Sequence, residues 1–434
     1  MNLHTPKGRI RHFAITVLVV YAAAIHAAAG VTLMRTTFIR NQLAFFKQKP
    51  KITEANCVAI DDESYYEILL EKFPEKQQGY GPDTLNQESA NDYPMTYGYV
   101  LASELKRYSW QPTSEGKRRI QNSVKWLIDN IDLNQDGKPG WGLPEPFDAW
   151  GDGTVNPRHQ EYTITTAVCL KSLIDAVTFN DVLSIQDRKH SRQAIEDVAT
   201  LWCTEYTSTG STGDYFWYST AACDNVYCVN VSAMLVGSLS QLLSASANCN
   251  WDLADRQKIE ETVDACAETI IRSTSMRHNA PFWPYHFLKN GEPSKGQGND
   301  AVHHIYIVWG MELYRELRRP DRLPWTRQQS EESVARFWRH EKQYYWPQDV
   351  GSSQKLDRLY GVGLTLAFHS TFGNASKAER VLRCIYRDYR WPDLSEWPQK
   401  GGPFLPRPAS HALYGMACIY FDKNRHHLSP KHPR

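Results

Sequence analysis

A cluster of polar, titratable and aromatic residues recurs where the apolar, helix-spaced runs of this chain begin. His159-Gln-Glu161-Tyr162 opens one run, Asp224-Asn225-Val-Tyr227 another, and Asp300-Ala-Val-His303-His304 a third. Asp357-Arg358-Leu-Tyr360 and Ser410-His411-Ala-Leu-Tyr414 open two more, and Asp92-Tyr93-Pro-Met-Thr-Tyr97 forms a weaker first copy. Each cluster follows a loop rich in Gly, Pro and aromatics. A chain built this way gathers its polar and aromatic side chains at one end of a ring of helices.

The apolar spacing predicts helices in pairs. Met95 to Tyr108 is followed by Lys117 to Asn130, Glu161 to Phe179 by Ser191 to Trp202, and Tyr227 to Ser246 by Asp255 to Ser273. Val302 to Leu317 is followed by Ser330 to Glu341, Leu359 to Phe372 by Ser376 to Tyr389, and His411 to Phe421 stands alone. Asp255, Ser330 and Ser376 are the expected N-caps. No run of alternating strands is evident. Loops inside a pair are short and loops between pairs are long, and long ordered loops carry function. The expected fold is all-α: an α/α toroid of five or six antiparallel helix pairs, incomplete or complete. The first helix of each pair is the more apolar and carries Gly237, Gly310, Gly361, Gly363 or Gly415, which suits the crowded inside of a ring. The inner N-termini then share one face, where their unpaired N–H groups favour an anionic ligand.

The chain has 434 residues and a net charge of +1, with no basic stripe, so nucleic acid is not an expected partner. Its 14 Trp and 23 Tyr fit sugar stacking and fit a large helical core equally. Lys7, Arg9 and Arg11 precede an apolar run from Phe13 to Ala24, and Ala27-Ala28-Ala29 offers a small-residue cleavage site. Carried on to Met34, the stretch reaches about twenty residues, long enough to span a bilayer. Residues 1–34 are therefore read as a signal peptide or an uncleaved anchor through residues 12–34, with the bulk secreted or periplasmic. Residues 35–90 form a linker and lead-in, 91–425 the toroid, and 426–434 a tail. Of nine cysteines, Cys223 and Cys228 are placed to pair locally in an oxidising compartment. Cys169, Cys203, Cys266, Cys384 and Cys418 read as small core residues.

Several short stretches carry a family resemblance. Trp283-Pro-Tyr285 followed by Asp300-Ala-Val-His303-His304 is one. Gly140-Trp-Gly-Leu-Pro144, Phe147-Asp-Ala-Trp-Gly-Asp-Gly153, Asn156-Pro157 and Glu161-Tyr-Thr-Ile-Thr-Thr166 are others. Together with the toroid they resemble α/α-barrel carbohydrate-active enzymes, in particular alginate and glucuronan lyases of this fold and the toroid domain of glucuronyl C5-epimerases. The compact Asn-Asn-His motif of the best-known alginate lyases is absent. The resemblance implies proton removal from C5 of a uronic acid in an anionic polysaccharide, followed by β-elimination, with no cofactor required. It implies a group that neutralises the carboxylate, a base, and an acid for the leaving O4.

Candidates for proton transfer are Tyr285, His303 and His304, with Asn225 as a carboxylate contact or an N-cap. Neighbours on a helix point about 100° apart, so one of the two histidines faces the cavity. Arg358 and Arg407 are candidate carboxylate clamps or surface ion pairs. His159, Glu161, Tyr215, Tyr218, Tyr227, Trp283, Tyr360 and His411 are candidate substrate contacts; each has an ordinary capping or packing alternative. Asp132-Leu-Asn134-Gln-Asp136-Gly137 matches the first half of a calcium loop, although Leu143 stands at its twelfth position. Asp132, Asn134 and Asp136 are thus ligands for a structural calcium or an Asp/Asn-rich turn. Two alternatives stand beside the lyase: a glycoside hydrolase using two of the acids Asp148, Asp152, Glu161, Asp214, Asp224, Asp300 and Asp357, or a non-catalytic glycan-binding envelope protein.

Overall fold

The computed structural model of the chain describes residues 64–86, 88–179, 181–294, 299–339, 342–343, 359–388 and 404–421. The leader, Arg358 and Asp357 lie outside the described residues. The described helices are α1 (Ser64–Leu70), α2 (Pro94–Trp110), α3 (Ser114–Asp129), α4 (Thr163–Thr178), α5 (Ile185–Thr204) and α6 (Val229–Asn248). They continue with α7 (Arg256–Arg272), α8 (Ala301–Leu317), α9 (Arg327–Ala335), α10 (Leu359–Thr371), α11 (Ala375–Asp388) and α12 (Pro406–Tyr420).

The even-numbered helices form the inner ring. Each packs on the next, α2 on α4, α4 on α6, α6 on α8, α8 on α10 and α10 on α12, and α12 returns to α2. Helices α3, α5, α7, α9 and α11 each pack on the outside of the inner helix that precedes them. The sixth outer position is filled by α1, which lies on α12. Burial follows from position. Inner helices are enclosed nearly all round, so α6 buries fifteen of its twenty residues and reads as almost uniformly apolar. Outer helix α3 buries only one stripe, including Ile120, Val124, Leu127 and Ile128 at helical spacing. The length and apolarity of α6 would allow a membrane crossing, but 83% of it is covered by its neighbours.

Glycines let the inner backbones touch. A Cβ on Gly310 would collide with the Ala233 carbonyl of α6, and one on Gly237 would lie 2.8 Å from Gly310 Cα. Gly363 of α10 abuts His411 and Ala412 of α12, and three residues later Leu366 abuts Gly415. The two helices therefore advance together, parallel, with their N-termini on one side.

The lead-in region contains α1, which closes the ring. Tyr66, Leu69, Leu70 and Phe73 pack with Leu413 and Met416 of α12 and its C-cap Phe421 in one buried cluster. Tyr66 Oη donates to Glu104 at 2.7 Å, and Arg107 bridges Glu104 and Glu67 at 2.7 and 3.0 Å. This tie fastens α1 to α2 as well. The long loops hold small antiparallel hairpins: Tyr80–Gly81 with Asn91–Asp92, Thr207–Gly210 with Gly213–Phe216, Ser275–Arg277 with Ala280–Phe282, and Trp338–Arg339 with Lys342–Gln343. Cys223 and Cys228 are free thiols rather than a pair. Cys228 is turned to Asn230 and the Tyr285 carbonyl, Cys223 to Asn156.

Candidate functional site at the inner helix mouths

The start of α8 builds a polarised histidine. Asp300 is the N-cap, and its carboxylate accepts the His303 amide at 3.0 Å and the His303 ring Nδ1 at 2.9 Å. A carboxylate accepts only, so Nδ1 carries the hydrogen and Nε2 is left as the lone-pair nitrogen. The His303 side chain keeps 30% of its surface exposed while Asp300 is buried. The Tyr285 ring meets the His303 ring edge-on at 4.7 Å. Burial, then nearby Cys228 and Tyr218, raises the Tyr285 phenol well above its ordinary value, so it holds its proton at neutral pH. Tyr218 packs in the cluster that Tyr285 lies against and sits between Trp150 and Tyr162, 4.9 and 5.7 Å away.

One turn deeper lies a neutral floor. Tyr306 follows His303 by three residues and shares its face. Tyr306 Oη is 3.0 Å from His411 Nε2, and His411 Nδ1 is 2.8 Å from the Arg407 carbonyl. The carbonyl fixes the proton on Nδ1, so Tyr306 donates to Nε2 and itself accepts from Tyr99 Oη at 3.3 Å. Burial pushes His411 down to about 3, which keeps this chain uncharged. Tyr99, Tyr306 and His411 occupy the sixth position of α2, α8 and α12 respectively. Equal depth on parallel rods is what brings them together.

Arg407 sits one turn above His411. Its Nη2 is 2.7 Å from Asp83 and its Nε 3.2 Å from Tyr360 Oη, with the guanidinium 5.5 Å over both the Tyr93 and Tyr360 rings. Burial opposes its charge, but Asp83 and Tyr360 outweigh it and hold the proton more firmly than usual. Burial lifts the Tyr360 phenol to about 12 against the pull of Arg407. Beside them Glu145 accepts from Tyr93 Oη at 3.3 Å, while its Oε2 is buried without a partner. Burial raises its carboxyl, with Arg407 pulling the other way.

Other sequence candidates lie elsewhere. His304 is fully buried and faces α9: its Nε2 is 3.0 Å from Ser333 and its ring packs among Phe282, Trp283 and Phe337. Burial lowers it to about 3. Trp283 is a core residue whose Nε1 donates to the Ile270 carbonyl at 3.1 Å. Asn225 accepts from Tyr215 at 2.8 Å, the Tyr215 ring leans on Tyr227, and Tyr227 stacks on Phe287 and reaches Ser273, the C-cap of α7. This group packs the loop over α6. His159 holds a left-handed backbone (φ 63°) and is lowered first by burial and then by Arg158. Asp224 is saturated by Trp150, Asn156 and Ser219, at 2.8, 2.6 and 2.5 Å.

Glu161 is wholly buried just before α4. Its Oε2 accepts from Thr220 at 2.6 Å and Gln160 at 3.2 Å, and burial lifts the carboxyl to about 7. It faces the turn that holds Asp132, Asn134 and Asp136, where Asp132 accepts the Asp136 and Gly137 amides. Sequence reasoning passed over Asp83, Tyr99, Glu145 and Tyr306. Asp83 and Glu145 lie in loops without periodic signal. Tyr306 was detectable as the residue one turn past His303.

No protein-family model matches the sequence, and no curated protein matches it. Solved structures of similar fold do exist. A D-mannose isomerase superposes with a TM-score of 0.56 at 11% identity, over 84% of this chain and 99% of that one. A cellobiose 2-epimerase from Spirochaeta thermophila gives 0.55 at 14% identity, over 89% and 98%. A GH76 α-mannanase from Bacteroides thetaiotaomicron gives 0.59 at 11% identity, over 84% and 97%. The shared property is the α/α-toroid fold.

Proposed function

We propose that this chain is a carbohydrate-active enzyme that removes a proton from a sugar carbon, acting as a lyase on a uronic-acid-containing polysaccharide. The observation that carries the reading is the Asp300–His303 pair with Tyr285 against it, at the mouth of an inner helix. Sugar isomerase and epimerase neighbours of the same fold support it. In the proposed reaction Arg407 and Tyr360 receive the uronate carboxylate. Nε2 of His303 takes the C5 proton, and Asp300 stabilises the imidazolium. The C5–H electrons form the C4=C5 double bond, the C4–O4 bond breaks, and Tyr285 gives its proton to O4. A C5-epimerase would share the first step and return a proton to the opposite face.

One observation favours a second reading. Glu145 pairs a raised carboxyl with an unpartnered buried oxygen, the condition of a general acid in a glycoside hydrolase. Asp83 already neutralises Arg407, so a neutral sugar is also admissible. We further propose that the chain is exported and held near the membrane by residues 12–34; cell fractionation, with the mass of the mature chain, tests this.

The deciding experiment incubates the protein with uronate-containing and neutral polysaccharides. A lyase gives products absorbing at the ultraviolet edge, an epimerase gives solvent deuterium at C5 without cleavage, and a hydrolase gives only new reducing ends. His303→Gln should lower kcat about 10²–10⁴-fold, the usual worth of a general base. Full activity in that variant sinks the assignment.

A further inference from the structure

The turn after α3 and the residue before α4 together build a cation site, and we propose that it binds one calcium ion. This proposal is independent of the catalytic reading above. One carboxylate oxygen each from Asp132, Asp136 and Glu161 lies within 4.8 Å of the other two. Oxygens this close surround a point at most about 2.8 Å from each of them, so one calcium with bonds of about 2.3–2.6 Å reaches all three after shifts of a few tenths of an ångström. Asp132, Asn134 and Asp136 stand at the alternate positions of a calcium loop, with Gly137 (φ 81°) at the required turn. The twelfth-position acid missing from that sequence pattern is supplied from outside the loop, by Glu161.

The second observation is Glu161 itself. The side chain is fully buried, and its Oε1 has no hydrogen-bond partner. A buried carboxylate oxygen left bare is costly, and here its carboxylate lies beside two others. The cation beside the group is Lys138, whose Nζ is 2.9 Å from Asp136 Oδ2 and is partly exposed. One ammonium against three carboxylates leaves net negative charge for a divalent ion. The donors are all oxygens, which selects a hard cation, and the irregular loop suits calcium better than octahedral magnesium. Glu161 contacts the loop directly: a Cβ on Gly140 would lie 3.0 Å from Glu161 Cγ. The ion therefore pins the turn after α3 to the residue just ahead of inner helix α4, tying positions 132 and 161 together.

Isothermal titration of the full-length, EGTA-stripped protein with calcium chloride tests this. The expected result is one site per chain. Saturating calcium should raise Tm by roughly 3–5 °C, with magnesium at the same concentration giving a smaller rise. Glu161→Gln should weaken calcium binding at least 10-fold while keeping its helical circular dichroism. Asp132→Asn, on the accessible side of the loop, should do the same and guards against a folding defect in the first variant. A flat titration of the wild-type protein overturns the proposal. So does wild-type affinity in both folded variants.

Discussion

At the scale of single residues, burial decides which histidines resist taking up a proton. His304 and His411 are both pushed down to about 3, whereas a histidine in the unfolded chain titrates near 6.5. The sign follows directly. Below pH 6.5 the unfolded chain takes up protons that the folded chain refuses, so stability is lost as pH falls from 6.5 toward 3. Each histidine should weaken the fold by about 2 kcal/mol between pH 7 and pH 5. Urea denaturation at the two pH values measures this; equal midpoints would contradict it. His304→Ala should act on stability, because its ring fills a pocket between Phe282, Trp283 and Phe337. The expected cost is about 2–4 kcal/mol, by analogy with other core truncations. Asp300→Asn tests the other histidine. It should lower kcat, since an imidazolium formed on His303 loses its counter-charge, while Tm changes little because the amide still caps α8.

At the scale of elements, the inner rods depend on glycine. Gly310→Ala places a methyl against the Ala233 carbonyl, and neither backbone can move without disturbing the ring. A loss of at least about 2 kcal/mol is expected, read as a lower Tm. Helix ends show where sequence patterns stop being informative. The spacing predicts α5 from Ser191, but the helix begins at Ile185 behind Ser184, whose hydroxyl accepts the Asp187 amide at 3.1 Å. Its first turns are polar and exposed, so apolar periodicity missed them. Ser330 is not the cap of α9. Thr326 is, with Gln329 completing a capping box, and Ser330 instead donates to buried Glu312 at 2.6 Å. Asp255 does precede α7, but its carboxylate accepts from Thr200 at 2.9 Å rather than capping. A polar residue near a helix start has several partners to choose from, and only packing selects one.

At the scale of the molecule, ring closure depends on a segment that carries no strong pattern. Helix α1 has seven residues, yet it fills the sixth outer position and joins the first described helix to the last. Leu69→Ala, at a fully buried position, should cost about 2–5 kcal/mol and lower the urea midpoint without changing the far-ultraviolet signal of the ring. An unchanged midpoint would mean that α1 is dispensable and the ring is closed by α12 and α2 alone.

The amino-acid sequence by itself determined the helix pairs, the apolar character of the first member of each, and the gathering of titratable clusters at their N-termini. Those follow from periodicity and chain order, which are local properties. Tertiary packing decided the rest. Adjacent His303 and His304 are chemically equivalent in the sequence, and only the position of α9 makes one a core residue and leaves the other partly exposed. Arg407 could be a carboxylate clamp or a surface ion pair in the sequence, and only the fold shows it buried with Asp83, far away in the chain, against it. Glu161 became part of the Asp132–Asp136 turn because two loops fold over the same inner helix. Contacts between distant segments depend on the closed ring, and no short window of residues contains that information.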